Sequence, residues 1–419
     1  MKLTQEQQDM YDGQQGYPLQ KAMEIIVQLG KIYGANELIP VTSVHMPGSS
    51  VVVSGEAGVK LVEKMAANSG VFQVPTTLNT GALDLESWES LGYSRATYDL
   101  QMRLTDAYVR MGAVALHSCT PYMGGNLPRK GQHVAWGESS AIAFVNSVIG
   151  ARTNREGGPS ALASALTGLV ANYGYHRDEG RAGQFHIHVD TPLKNLTDFG
   201  SLGYWTGRRV ESAVPVFTGI ETATMDEMKM LGAALASSGS VALYHIVGLT
   251  PEADTLEEAL QGKTVKELRF GANELVESEQ TLNKHHGEEV SLVAVGCPHA
   301  SMEEIEEIAL FLKDKKAKKG LHFWVITSVG TKAIAKRSGY LDMIEKAGGK
   351  IVLDTCPILS PMQDLIKANG FKSMVTNSAK LAHYGPGQIA IPTYYGDLAK
   401  CLNAVVSGNF LRKEQAGAV

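Results

Sequence analysis

Three of the four cysteines in this 419-residue chain share one local pattern. Cys119 in AVALHSCTPY, Cys297 in LVAVGCPHAS and Cys356 in VLDTCPILSP each end an apolar run and precede a proline by one or two residues. In open parallel sheets, ligands and reactive groups gather at the carboxyl ends of the strands. Three thiolates that meet there can ligate a soft metal site. An iron–sulfur cluster held by three cysteines leaves one iron open to bind a substrate as a Lewis acid.

The spacing of these cysteines leaves other interpretations open. They are also compatible with three unrelated buried thiols, because the chain has no Cys-x-x-Cys pair. A structural zinc ion held by three cysteines and a histidine such as His299 is an alternative. A nucleophilic Cys119 near His117 or His133 ranks last, because no oriented Cys–His–Asn set is evident. Cys401, in DLAKCLNAVV, is expected to be a small buried residue on an amphipathic helix.

A second group of candidate residues lies in segment 133–160, where polar side chains interrupt a stretch rich in Ala, Gly and Val. A guanidinium fork beside closely packed backbone suits a carboxylate or phosphate, so this segment is interpreted as an anion cradle. VTNSAKLAHYGPG repeats this chemistry after a later strand, and SVHMPGSS follows an earlier one. The candidate catalytic residues are Glu138, Ser139 and His45. The candidate substrate-binding residues are Ser49, Ser50, Arg152, Asn154, Arg155, Glu156, Asn377, Ser378 and Lys380.

Two histidines in FHIHVD, His186 and His188, are predicted to share one face of a strand, a spacing that zinc can use. Since the sequence shows no third ligand nearby, a structural role is expected for both. No GxGxxG or Walker pattern follows a predicted strand, so nucleotide binding has little support.

The elements that must position these residues are clearest in 288–376, where strand-like and helix-like stretches alternate. This alternation predicts a parallel sheet with right-handed crossovers, which places Cys297 and Cys356 at one edge. Earlier in the chain, a helix is predicted over roughly 86–111, followed by a strand at 112–119. We therefore predict an α/β protein with an N-terminal region, 1–285, and a βα-repeat domain, 286–410. Residues 411–419 are expected to form a flexible tail.

Composition excludes several classes of protein. The formal net charge of −5 gives no electrostatic case for nucleic acid or an anionic membrane surface as a partner. Four cysteines are too few for a disulfide scaffold, and no apolar run has the length of a membrane span or the form of a signal segment. A reduced, cytoplasmic protein is the expectation.

Several motifs resemble the large, catalytic subunit of the aconitase X family, over nearly the whole chain. They are CTPY, ESSA, NSVIGARTNREGGPSALA, GCPH, LDTCP and TNSAKLAHYGPG. The resemblance implies parallel-sheet α/β domains around a central iron–sulfur cluster, with Cys119, Cys297 and Cys356 as ligands. Cys401 matches no family ligand.

The resemblance also implies that the protein is a hydro-lyase, which dehydrates a small hydroxy acid. In the aconitase superfamily a serine on a small swivelling domain removes the proton. No such domain is evident here, so a separate small subunit of ~130 residues is expected to supply that serine.

Two substrates are known for the family, mevalonate 5-phosphate and cis-3-hydroxy-L-proline. The amino-acid sequence of the REGGPSALA motif favours the first. A phosphate needs cations, for which the candidates are Arg129, Lys130, Arg152, Arg155 and Lys380. An imino acid would instead need a carboxylate such as Glu138 or Glu156. The alternative from another class is a non-catalytic partner protein with structural zinc or buried free cysteines.

Overall fold

Short parallel strands alternate with helices throughout the computed structural model of the chain, which describes residues 1–283 and 289–410. The strands are β1 (Leu38–Pro40), β2 (Val44–Met46), β3 (Thr76–Leu78), β4 (Ala113–Val114), β5 (Ala135–Trp136), β6 (Leu169–Ala171), β7 (Phe185–Val189), β8 (Pro215–Thr218), β9 (His245–Ile246), β10 (Lys266–Phe270), β11 (Leu292–Ala300), β12 (His322–Thr327), β13 (Gly349–Val352), β14 (Met374–Thr376) and β15 (Thr393–Tyr395).

The α-helices surround these strands. They are α1 (Gln5–Tyr11), α2 (Tyr17–Ile32), α3 (Val51–Ala67), α4 (Trp88–Leu91), α5 (Arg95–Arg110), α6 (Ser139–Phe144), α7 (Gly158–Thr167), α8 (Leu196–Val210), α9 (Met225–Gly239), α10 (Leu256–Leu260), α11 (Ala272–Leu282), α12 (Met302–Leu312), α13 (Val329–Arg337), α14 (Tyr340–Lys346), α15 (Met362–Asn369), α16 (Ala379–Tyr384) and α17 (Leu398–Ser407). Single π-helical turns, Val145–Ile149 and Gly385–Ile389, extend α6 and α16.

The larger sheets of the described residues are entirely parallel. Their strand orders are β4-β3-β2-β5, β10-β7-β8-β9 and β13-β12-β11-β14-β15, and a small antiparallel pair joins β1 to β6. The predicted α/β class is confirmed. In the last sheet every residue of β11 is buried, as expected for a parallel strand covered on both faces.

The βα series predicted over 288–376 is present, with capped helices between the strands. Ser301 begins α12 through a reciprocal capping box with Glu304, which satisfies backbone N–H groups at the helix start. The predicted boundary near 285 and the predicted tail at 411–419 both lie outside the described residues.

Two predictions on the N-terminal region need correction. The single helix expected over 86–111 is broken into α4 and α5 at Gly92, whose φ of 94° is a left-handed conformation that ends a helix. The strand expected over 112–119 stops at Val114, and the rest of that stretch is a loop carrying Cys119.

The first and last parallel sheets are joined through a shared apolar core. Leu83 and Leu91 of the N-terminal region pack with Leu292, Trp324 and other side chains on one face of the last sheet. Helix α9 meets α6, α8 and α16, so it links all three parallel-sheet regions. Within the described part of the chain, no helix is both long enough and apolar enough to span a membrane.

Candidate active site

The three cysteine-bearing segments all leave parallel strands at or near their carboxyl ends. Cys119 lies in the loop that follows β4, and Cys356 lies in the loop that follows β13. Cys297 lies in an irregularity of β11, where pairing with β12 stops after Val295 and resumes at Ala300. The backbone at this point is shaped by Gly296, with a φ of 92°, and by a cis peptide bond between Cys297 and Pro298.

The three thiols are free, buried and within one another's electrostatic field. Burial raises the pKa of each, to about 12 for Cys297. Negative charge on Cys297 or Cys356 raises the pKa of Cys119 further, whereas the Lys380 ammonium acts on all three pKa values in the opposite direction. The sulfurs therefore occupy one local environment, with the buried Lys380 ammonium beside it.

Hydrogen-bond donors are directed at each sulfur. The backbone N–H of His299 donates to Cys119 Sγ at 3.2 Å. The Ser378 hydroxyl lowers the pKa of Cys297 by hydrogen bonding, and the Leu359 N–H does so for Cys356. Such donors stabilise sulfur as a thiolate, the form that ligates metal, and they tune the clusters bound to it.

The spacing of the thiols argues against a single zinc ion. Four ligands of a tetrahedral zinc with sulfur at about 2.3 Å lie roughly 3.8 Å apart. Among the described residues, one set of three or more His, Cys, Asp or Glu side chains has all its ligand atoms within 4.8 Å of one another. This set contains none of the cysteines. A cluster of several iron and sulfide ions is larger than a single ion, so this donor set fits a cluster better.

Unsatisfied polar atoms surround the same region. In the described chain, buried atoms without a hydrogen-bond partner include Thr80 Oγ1 and Asn377 Oδ1. Thr80 lies two residues after β3, and Asn377 directly follows β14. Buried unpaired polar atoms are rare in folded proteins, and such atoms are consistent with a site for a polar ligand.

His299 links the three cysteine-bearing segments. Its Nδ1 lies 3.0 Å from Ser118 Oγ, and its Nε2 lies 3.1 Å from the carbonyl oxygen of Thr355. Burial lowers the pKa of His299 to about 4, so the ring is neutral. A neutral ring that donates from Nε2 to the carbonyl must accept from the Ser118 hydroxyl at Nδ1. Since Ser118 and Thr355 each precede a cysteine, His299 fixes the relative position of all three segments.

The second chemical feature is a buried ion pair between the two predicted polar segments. Lys380 on α16 contacts Glu138, the N-cap of α6, and both side chains are at most 10% exposed. Burial alone would raise the pKa of Glu138. The Lys380 ammonium, the Ser140 hydroxyl and the Ala141 N–H outweigh it and hold the pKa below its usual value. Glu138 is thus an anion fixed by its partners, held at a positive φ of 65°.

Other predicted residues lie around this pair and the thiols. His45 Nδ1 contacts Thr77 Oγ1 at 2.9 Å, and burial lowers the pKa of the ring to about 4. Ser49 donates to the carbonyl of Asn79, and Ser50 donates to the carbonyl of Leu359 in the Cys356 loop. Ser139 is the first residue of α6, and Asn377 follows β14.

The residues of the predicted anion cradle are engaged in contacts within the fold. Arg152 pairs with Asp178 and Glu252, and Asn154 bonds to the backbone of 173–175. Arg155 is exposed and donates to the carbonyl of Ser240. Burial of the neighbouring Glu156 carboxyl raises its pKa. Of the cations considered for phosphate, Arg129 and Lys130 are exposed, and Lys130 donates to the carbonyl of Pro251. Lys380 alone of this predicted set acts on the pKa values of all three thiols.

Sequence reasoning missed a pair of buried carboxyls beside Cys356. Leu353 donates to Asp84 Oδ2, and Leu85 donates to Asp354 Oδ2, so each carboxyl accepts a backbone N–H from the other's segment. Burial, followed by the charge of Asp84, raises the pKa of Asp354 to about 7. The only signal in the sequence was an aspartate two residues before the cysteine, in LDTC.

Parallel-sheet α/β domains that bring three cysteines to one buried site are the architecture implied by the sequence motifs. Family models match the chain in the same order: the aconitase X first, second and third domains match residues 1–179, 183–280 and 290–407, which confirms the predicted family. The chain therefore belongs to the aconitase X family.

The relatives of this chain are dehydratases. It is 41% identical to the phosphomevalonate dehydratase large subunit of Methanothermobacter thermautotrophicus, over 94% of this chain and 96% of that protein. It is 32% identical to the cis-3-hydroxy-L-proline dehydratase of Hypocrea jecorina, over 98% of this chain and 69% of that protein. The crystal structure of Thermococcus kodakaraensis aconitase X in its holo-form gives a TM-score of 0.87 at 36% identity, covering 97% of this chain and 100% of that chain. The predicted enzyme class, a hydro-lyase, is confirmed.

Proposed function

We propose that this chain is the large subunit of an iron–sulfur-dependent phosphomevalonate dehydratase. The observation that carries the proposal is its 38–41% identity to four large subunits of that name, over 92–97% of this chain and 95–99% of theirs; a fifth is 33% identical. Its identity to the hydroxyproline dehydratases is 31–32%, and it spans 69% of their length. The higher identity to the phosphomevalonate dehydratases supports the first of the two substrates.

Cys119, Cys297 and Cys356 are the residues that would hold the cluster. Their support is threefold: the thiols are buried in one electrostatic environment, a hydrogen-bond donor acts on each sulfur, and the three sulfurs do not all lie within 4.8 Å of one another. When bound, such a cluster supplies an open iron that acts as a Lewis acid towards the leaving hydroxyl.

Lys380 is proposed to bind an anionic group of the substrate. Mevalonate 5-phosphate carries a carboxylate and a phosphate, and Lys380 is the buried cation beside the thiols. Glu138 orients its ammonium, and the unpaired amide oxygen of Asn377 lies near the same strand end. Ser139, His45, Ser49 and Ser50 remain predicted site residues around this cation.

The reaction removes the C3 hydroxyl and a C2 proton of mevalonate 5-phosphate as one molecule of water. It leaves a double bond conjugated with the carboxylate, so there is no net oxidation. The proton acceptor is proposed to be a serine of a separate small subunit. The relatives named as large subunits support such a partner.

Metal analysis of variants tests the cluster directly. Anaerobically purified protein is expected to contain iron and sulfide and to absorb visible light. Cys119→Ala, Cys297→Ala and Cys356→Ala should each lose iron and colour. Cys401→Ala, at a buried thiol outside the site, should retain both. Equal iron content in all four variants would contradict the assignment of the ligands.

An activity assay distinguishes the two substrates. The cluster-loaded chain, co-expressed with its small subunit, is incubated separately with mevalonate 5-phosphate and with cis-3-hydroxy-L-proline. The first should yield a conjugated acid, seen as rising ultraviolet absorbance and as a vinylic proton by NMR. Turnover of the imino acid alone would overturn the proposed substrate but leave the hydro-lyase class intact.

A further inference from the structure

A set of metal-ligating side chains lies on the sheet β10-β7-β8-β9, away from the cysteines. His186 and His188 alternate along β7 and therefore share one face. Glu267 on β10 pairs in register with His186, and Thr218 on β8 pairs with His188. The opposite face of these strands, with Ile187, Phe217 and Leu268, packs into the apolar core.

The ring nitrogens of the two histidines divide between two partners. His186 Nε2 and His188 Nδ1 lie 2.9 and 3.4 Å from Thr218 Oγ1. The other nitrogens, His186 Nδ1 and His188 Nε2, lie 3.6 and 3.8 Å from the two carboxylate oxygens of Glu267. Ligand atoms of all three residues lie within 4.8 Å of one another.

This arrangement is better suited to a cation than to direct pairing. Distances of 3.6 and 3.8 Å are longer than a normal hydrogen bond, so the carboxylate faces both ring nitrogens in loose contact. The space between them is bordered by two imidazole nitrogens and one carboxylate. In metal-binding histidines, the ring nitrogen that does not bind the metal is usually held by a hydrogen bond to another polar group. The Thr218 hydroxyl is in that position for both rings here.

We propose that His186, His188 and Glu267 form a zinc site with an open coordination position. Two histidines and one glutamate are a ligand set that zinc uses together with water. Water reaches this site because the side chains of Glu267 and His188 are 68% and 32% exposed, whereas His186 is buried. The ion would join β7 to β10, the edge strand of this sheet.

Zinc titration of the cluster-loaded chain against a chromophoric chelator tests the site, because the cysteines are then already occupied. The wild-type chain should bind one zinc ion. Glu267→Gln and His188→Gln should each weaken binding more than tenfold. Thr218→Val keeps all three ligands but loses the group that orients them, and it should weaken binding by roughly 10–100-fold. Glu257→Gln, an exposed glutamate on α10, is the matched control and should bind as the wild type does.

Two further measurements separate a zinc site from a folding defect or from binding at the thiols. Without zinc, Glu267→Gln and His188→Gln should unfold at the wild-type midpoint. Added zinc should raise the midpoint of the wild type and of Glu257→Gln, but not that of the two ligand variants. Cobalt in place of zinc should show no thiolate charge-transfer band. Absence of zinc binding in the wild type, equal binding by Glu267→Gln, or a thiolate band in the cobalt spectrum would each overturn the proposal.

Discussion

Replacing Asp354 by asparagine should stabilise the protein at alkaline pH and have little effect at acidic pH. Asp354 lies beside Asp84 in the contact between the N-terminal region and the last sheet, and it is 4% exposed. Asparagine keeps an oxygen that accepts from the Leu85 N–H. It also tolerates the φ of 61° at this position, as aspartate does.

The size of the effect follows from the pKa of Asp354. Burial and then the Asp84 charge raise it from 3.8 to about 7. Each unit is worth about 1.4 kcal/mol, so ionised Asp354 costs the folded state about 4 kcal/mol relative to the unfolded state. Because the folded pKa is the higher one, the contribution to stability is complete below about pH 4. It is lost as pH rises through 7, and asparagine removes this dependence.

Thermal unfolding of wild type and Asp354→Asn at pH 5 and pH 8 measures the difference. The variant should gain several degrees at pH 8 relative to the wild type, and the difference should be much smaller at pH 5. Asp342→Asn, an exposed aspartate on α14, serves as the control and should show no such pH dependence. An equal shift at both pH values, or destabilisation at pH 8, would refute the argument from burial and like charge.

Three other predictions concern the buried polar groups. Lys380→Met leaves the Glu138 carboxylate buried without its partner and should cost about 3–5 kcal/mol, lowering the urea midpoint. The Glu138→Gln/Lys380→Met double variant should recover part of this loss. His299→Ala removes a buried ring and both links between the cysteine segments, so it should cost on the order of 3 kcal/mol and speed the loss of iron during dialysis. Burial lowers the pKa values of His45, His117 and His299 to about 4, below the usual 6.5. As pH falls, these histidines therefore become protonated in the unfolded chain before they do so in the folded chain. The free energy of unfolding measured by urea titration should fall as pH drops from 6.5 to 4.

The sequence was most informative where local pattern alone determines structure. The βα alternation of 288–376 predicted the last sheet, because fully buried parallel strands read as apolar runs between helices. The placement of cysteines at strand ends predicted that Cys297 and Cys356 lie at one edge. The same reasoning gave too long a strand before Cys119, because an apolar run does not show where pairing with a neighbour stops.

Partners from distant segments were beyond such reasoning. Glu267 completes the histidine set only because β10 returns to lie beside β7, and nothing in the local sequence of either strand records that pairing. The anion cradle was predicted from the two arginines of ARTNREGG, and in the fold Arg152 pairs with Asp178 and Glu252. The amount of charge in a segment indicates a polar region, but it does not show which partners from other segments each side chain contacts in the fold.

The same consideration gives His299 its importance. A cluster ligated by residues 119, 297 and 356 requires three loops to keep their spacing while the metal is absent, during assembly or after oxidation. Two side-chain hydrogen bonds of one neutral ring connect those loops without using any thiol, and the His299 N–H adds a bond to the Cys119 sulfur. The polypeptide therefore preorganises the thiols through polar groups that remain in place whatever the sulfurs bind, which lowers the entropic cost of ligation.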